Sequence, residues 1–293
     1  MIDPIVRPVL RPVVRQHPAH RDDIGDLVTR RPVPGPGLDQ MDPFLFLNHH
    51  GPQTYPAHNR GLPFGPHPHR GFETVTFILD GELAHNDSAG GESIIRAGGV
   101  QWMTAGSGLI HAELSPTAFK REGGPMEILQ LWVNLPSRLK MTRPDYVGLQ
   151  AADIPTFTTD DGRVAVEPVS GRWGEVDAPI QSLIDIHLAV VRFKPGGTFA
   201  APVARGRTVF LYVVSGQVVV GGTAVEPWHL IALGDGDAVR VEASSDAVIL
   251  LGHAAPIGEP VASHGPFVMN TREEILQAIA DYNAGKFGPP PRV

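Results

Sequence analysis

Apolar runs in this chain are short and stop on turn residues, which limits what it can build. Thr74-Val75-Thr76-Phe77-Ile78-Leu79 ends at Asp80-Gly81, a strong hairpin-turn signal. Glu127-Ile128-Leu129-Gln130-Leu131-Trp132-Val133-Asn134 reads as a second strand, closed by Pro136. Ile186 to Phe193, Val209 to Val214, Gln217 to Val220 and Ala247 to Leu251 read the same way. Gly (33) and Pro (29) are both above average use and only 19% of residues are charged, which favours many strands and turns over long helices. Only the end reads as helix: Thr271 and Glu274 form a capping box, Ile275, Ile279 and Tyr282 share a face, and Gly285 stops it. The expectation is an all-β chain with a short C-terminal helix.

Within such a chain, positions two apart on a strand point to the same face. His67-Pro68-His69 and His111-Ala112-Glu113 are both pairs of this kind, each at a Gly-rich strand junction. Two such strands facing each other offer three imidazoles and one carboxylate to one cavity. That donor set suits a first-row transition metal: iron, copper, nickel, manganese or zinc. Either pair alone is weak, because surface His-x-His and His-x-Glu triplets are common; together they predict a metal-dependent enzyme site inside a β-barrel.

Composition removes several alternatives. The chain has no cysteine, so thiolate sites, disulfides and Cys nucleophiles are excluded. A net charge of −7 with no Lys/Arg stripe argues against binding to a phosphate backbone. Met1 to Pro8 lacks the apolar stretch of a secretory signal, and no apolar run approaches a membrane span, so a cytoplasmic location and no membrane partner are expected.

The halves read as diverged copies. Aligning Gly81 with Gly216 sets His67-Pro68-His69-Arg70-Gly71 opposite Pro202-Val203-Ala204-Arg205-Gly206, so the second copy has lost both histidines. Domains of 1–136 and 137–293 follow, with Pro136 to Pro155 as a bridge whose Lys140 to Val147 part wraps over a domain.

Gly61-x5-His67-x-His69-x3-Glu73-x7-Gly81 is similar to the first cupin motif, with one residue too many before the last glycine. More specifically, 67–76 (HPHRGFETVT), 101–113 (QWMTAGSGLIHAE) and 264–270 (HGPFVMN) resemble the pirin family. Asp42-Pro43-Phe44-Leu45 and the stretch from Asp281 to Gly288 extend the likeness over nearly the whole chain. One departure is Asn48, which stands before His49-His50-Gly51-Pro52 where relatives usually carry Asp.

The resemblance implies two tandem cupin (jelly-roll-type) β-barrels, the N-terminal one binding a metal and the C-terminal one none. It places the ligand role on His67, His69, His111 and Glu113 and leaves Glu73 out of the set. Iron is the first expectation for the metal, with copper, nickel, cobalt, manganese or zinc as alternatives. Members of this family act as quercetin 2,3-dioxygenases, so the expected reaction is opening of a flavonol or related enol with O2, Glu113 acting as general base. The alternative is a regulator or adaptor that acts on protein partners, with the metal's redox state as the switch. A purely structural metal is a third reading, disfavoured by the open coordination positions.

Other residues carry two readings each. His85 either faces the cavity or simply precedes the Asp87-Ser88 turn; His49 and His50 read as loop residues; His264 reads as a strand–helix corner. Met103, Trp102 and Phe64 line the pocket or belong to plain core, and Glu259 and Asp281 read as solvated or interdomain charges.

Overall fold

The computed structural model describes residues 8–90 and 92–292. The reading of Met1 to Pro8 falls on residues 1–7 almost entirely, and so lies outside the described residues. The chain forms two compact units: Met1–Ala19 with Pro155–Pro256, and His20–Ile154 with Ile257–Val293. None of the described helices is long and apolar enough to cross a membrane.

The unit that carries the histidine pairs is built on two main antiparallel sheets, with the small hairpin Ala262–His264 and Phe267–Met269 beside them. The larger runs Asp145–Leu149, Val100–Thr104, Phe72–Asp80, Gly124–Asn134, Phe44–Tyr55, Thr29–Val33, His20–Arg21. The smaller runs Phe64–His69, Leu109–Leu114, Glu82–Asp87, Glu92–Arg96. In the other unit the larger sheet runs Val13–Pro18, His229–Leu233, Thr208–Ser215, Ala247–Ala254, Ile186–Phe193, Val164–Ser170, Phe157–Thr159. Its smaller sheet runs Thr198–Pro202, Ala238–Ala243, Val218–Val220, Thr223–Val225. Strand for strand the two lists correspond, as a duplicated fold requires. The duplication also explains why Gly81 and Gly216 align: both have positive φ (81° and 74°), and a Cβ on either would meet a backbone oxygen, at 2.5 Å for Pro125 and 2.2 Å for Asp246.

The two closed β-barrels expected from the sequence are not formed. No sheet among the described residues pairs its last strand with its first, so the two main sheets of each unit are open cupin-type sheets. Alternation and turn signals specify strands and their buried faces, whereas closure depends on tilt and stagger, which a hydrophobic pattern does not encode. One open edge of each large sheet is kept short: His20–Arg21 ends one and Phe157–Thr159 the other.

The pairing of His67 with Pro202 also needs correcting, by one residue. In the unit without histidine ligands, Ala201 and Val203 face the core together with Phe199, while Pro202 and Ala204 are exposed. Ala201 lies opposite Val239, as His67 lies opposite His111. A shift of one residue moves a side chain to the other face of a strand. The positions equivalent to the ligands are therefore filled by Ala201, Val203, Val239 and Val241, in a core closed by Val209, Leu211, Ile231, Ile249 and Leu251. The positions equivalent to the ligands thus carry apolar side chains that offer a cation no donor.

The C-terminal helix spans Arg272–Asn283, with Thr271 Oγ1 accepting from Glu274 N (3.2 Å) and Glu274 Oε2 accepting from Thr271 N (3.0 Å). A second helix, Thr117–Glu122, was not foreseen, because six residues are too few to show a period. The bridging stretch is structured as well. Asp145–Leu149 is an edge strand paired with Val100–Thr104, and Lys140 is only 1% exposed.

Candidate metal centre

The strands Phe64–His69 and Leu109–Leu114 pair antiparallel, with His67 directly opposite His111 and His69 opposite Leu109. Alternation puts His67 and His69 on one face and the pairing brings His111 to them. Their ligand atoms lie within 4.8 Å of one another, and the ring centroids are 4.3 Å (His67 to His111), 4.8 Å (His67 to His69) and 4.9 Å (His69 to His111) apart. His111 and His69 are buried and His67 is half-buried.

Backbone carbonyls set the tautomers. His67 Nδ1 donates to Gly65 O (2.7 Å) and His69 Nδ1 to Pro266 O (3.4 Å), which leaves each Nε2 lone pair free to bind a metal. Burial, with His67 adding to it, pushes His69 down to about 3. Burial also holds His111 well below the usual imidazole range, with His69, His67 and His85 adding to it. Both rings are therefore neutral at physiological pH, the form a metal requires. Both nitrogens of His111 are enclosed and without a hydrogen-bond partner. An unpaired buried polar group costs about 1–3 kcal/mol, and a cation shared with His67 and His69 would relieve it. The residues present fit a divalent transition metal.

Glu113 lies outside this group of three. It is buried, and its carboxylate is held by the facing sheet: Oε1 accepts from Thr76 Oγ1 (3.1 Å) and from Gln101 Nε2, and Oε2 accepts from Gln130 Nε2 (2.6 Å). A register shift between His111 and Glu113 places Glu113 opposite Phe64, where regular pairing would have given Gly65. Gln101, Gln130 and Thr76 escaped notice in the sequence, although Gln130 alternates with Ile128 and Trp132 and Gln101 sits in the second quoted motif. Glu73 faces away from Thr74 and Thr76, accepts from Thr104 Oγ1 (2.6 Å), and is pushed up to about 6 by burial.

Alternation settles several open readings. His85 is the cross-strand partner of Glu113, is fully buried, binds Asp87 Oδ2 through Nε2 (2.9 Å) and stacks on Tyr146 at 4.0 Å. Met103 pairs with Thr74 on the face of Gln101, whereas Trp102 pairs with Val75 on the other face. Trp132 stands 5.4 Å from His69 and stacks on Phe46 at 4.7 Å. Asp281 is not solvated, since it is 8% exposed and ion-paired with Arg70.

His49 and His50 are strand residues, not loop residues, because Phe44–Tyr55 continues through Gly51-Pro52. His50 Nδ1 bonds Thr29 Oγ1 (2.9 Å), and burial lowers its pKa to about 3. Between that value and the ordinary 6.5 or so, the unfolded chain takes up a proton that the folded chain refuses. The stability from neutral His50 is thus fully present above pH ~6.5 and is lost as pH falls toward ~3, by on the order of 1 kcal/mol per pH unit. Urea unfolding at several pH values between 7 and 5 should give a shallower pH dependence for His50→Phe than for the wild type. Equal slopes would refute this.

Similarity to known proteins agrees with this site. The family description Pirin matches residues 26–133, and Pirin C-terminal cupin domain matches residues 188–288. A Pirin-like protein of Caulobacter vibrioides is 42% identical over 96% of this chain and 99% of its own. Human Pirin is 38% identical over 88% of this chain and 87% of its own. The structure of a quercetin 2,3-dioxygenase from Acinetobacter baumannii superposes with a TM-score of 0.89 at 34% identity, covering 95% of this chain and 99% of that one. With the same duplicated sheets, a histidine cluster in the first copy and an apolar interior in the second, this chain belongs to the pirin family of bicupins.

Proposed function

We propose that the chain is a metal-dependent dioxygenase that opens a flavonol such as quercetin, or a related enol, with O2. The observation that carries this reading is the convergence of His67, His69 and His111, with Glu113 buried two residues beyond His111 on the same strand. Likeness to the quercetin 2,3-dioxygenase of Acinetobacter baumannii supports it. His67, His69 and His111 would hold the metal, with Glu113 as the fourth ligand. An iron ion, or copper, nickel, cobalt or manganese in its place, supplies redox chemistry toward O2 and Lewis acidity toward an enolic hydroxyl. Glu113 takes the hydroxyl proton as general base. Its three donors are neutral, so they orient the carboxylate without a fixed cation to compete for the proton. Trp132 and Phe46 offer a stacked aromatic wall beside His69 that suits a planar substrate.

The test is to strip the protein with chelator, reload it with Fe(II), Mn(II), Co(II), Ni(II) or Cu(II), and follow O2 uptake with quercetin. A double variant, His67→Ala with Glu113→Ala, is the control. Metal-dependent uptake absent from the control is expected. Stoichiometric metal binding without uptake for any metal would remove flavonol oxygenation as the reading.

A further inference from the structure

We infer that the C-terminal stretch from Ala262 to Phe287 is a working part of the metal centre, with Asp281 and Arg70 as positioning residues for His69. The inference rests on metal binding by the histidine cluster.

Arg70 directly follows His69 and is 4% exposed. Its Nη1 donates to Asp281 Oδ2 (2.8 Å) on the C-terminal helix, and its Nε donates to Ser107 O (2.8 Å) in the turn before His111. The guanidinium carbon lies 4.6 Å from the ring centroid of Phe287. Asp281 Oδ1 is held in turn by Lys286 Nζ (2.8 Å) and Gln277 Nε2 (2.9 Å). The backbone repeats the link. Arg70 N donates to Pro266 O (3.3 Å), the same oxygen that accepts from His69 Nδ1, and Val268 N donates to Arg70 O (3.0 Å).

The approach is close enough to require a glycine next door. Gly71 has φ +89°, and a Cβ there would lie 2.0 Å from Val268 O. Buried Lys140 closes the same junction, donating through Nζ to Gly71 O (2.9 Å), Val268 O (3.1 Å) and Asn134 Oδ1 (2.7 Å). On the other ligand strand, the Phe287 ring would lie 2.7 Å from a Cβ at Gly108, and Ser88 Oγ donates to Phe287 O (2.7 Å) while accepting from Ile110 N (3.0 Å). The C-terminal stretch thus reaches the residue after His69 and the residue before His111.

A cover for apolar surface needs none of this. Buried ion pairs contribute little net stability compared with apolar side chains of the same shape. What Asp281 adds is direction: it anchors the side chain of Arg70, whose backbone N–H shares the Pro266 carbonyl with the His69 ring. Outer partners of this kind are typically worth 10–100-fold in metal affinity.

The experiment uses the full chain and metal alone. Ni(II) affinity is measured by calorimetric titration and Co(II) visible absorption reports ligand geometry, for wild type, Asp281→Ala and Asp281→Asn. Asp281→Ala should lose 10–100-fold in affinity and shift the Co(II) spectrum, and Asp281→Asn, which keeps an oxygen for Arg70, should recover most of both. A folded Asp281→Ala with wild-type affinity and spectrum overturns the inference. If Asp281→Ala does not fold, the double variant Gln277→Ala with Lys286→Ala frees Asp281 without emptying its site. A shifted Co(II) spectrum in that variant supports the inference, and an unchanged one overturns it. A wild type that binds no metal sinks the metal reading and this inference together, whereas bound metal indifferent to all variants sinks this inference alone.

Discussion

His111→Ala should abolish stoichiometric metal binding and reduce quercetin-dependent O2 uptake to background. His111 is the ligand with most to lose, because its ring faces both other imidazoles and neither of its nitrogens has another partner. Removing it leaves the two histidines of one strand with only the Glu113 carboxylate from the other, and the expected loss exceeds the 10–100-fold that an outer partner typically contributes. Stability should tell the same story by a separate route. Truncation opens a cavity, which costs stability, but it also removes a buried imidazole whose unpaired nitrogens cost about 1–3 kcal/mol. The metal-free variant should therefore unfold close to the metal-free wild type. Metal at a hundredfold over its dissociation constant should stabilise the wild type by about 2.7 kcal/mol and the variant not at all. Differential scanning with and without Ni(II) checks this. A metal-induced upward shift of equal size in His111→Ala would show that the cation binds somewhere else.

Glu113→Gln should separate holding the metal from moving the proton. The side chain keeps its size: its one amide oxygen can keep Thr76 and Gln101, while its NH2 faces Gln130, whose own amide must turn to accept from it. Three imidazoles still bind the metal, more weakly because an amide oxygen is a poorer ligand than a carboxylate. With metal saturating, binding of quercetin under anaerobic conditions should persist while kcat falls by about 10²–10⁴, the usual worth of a general base. Steady-state O2 uptake at increasing metal concentration makes the measurement. If kcat returns to within tenfold of wild type once metal saturates, Glu113 serves as a ligand and not as a base.

The reach of the sequence varied from element to element. The strand Ile186–Phe193 and the cap at Thr271 were readable to the residue, because turn chemistry and side-chain alternation are local. His67 and His69 were readable for the same reason, and the placement of His111 beside them followed from two Gly-flanked strands meeting antiparallel. The pairing with Pro202 failed by one position, since a short match in sequence cannot say which face a residue takes. That Gln101, Gln130 and Thr76 meet Glu113 and that Tyr146 stacks on His85 was not readable, because each comes from another strand and the meeting depends on how the two sheets face each other.

By itself, then, the sequence determined the all-β character, the capped helix, the duplicated motif and the three imidazoles of the site, each written in short local patterns of turn, alternation and spacing. Tertiary structure alone decided that the sheets stay open, that Glu113 is held by three neutral side chains from the facing sheet, and that the C-terminal stretch packs against Arg70 and Gly108. Those outcomes depend on sheet stagger and on contacts between residues as many as 211 positions apart, such as Arg70 and Asp281. A one-dimensional pattern records which face a side chain takes, but not what is waiting on the other side.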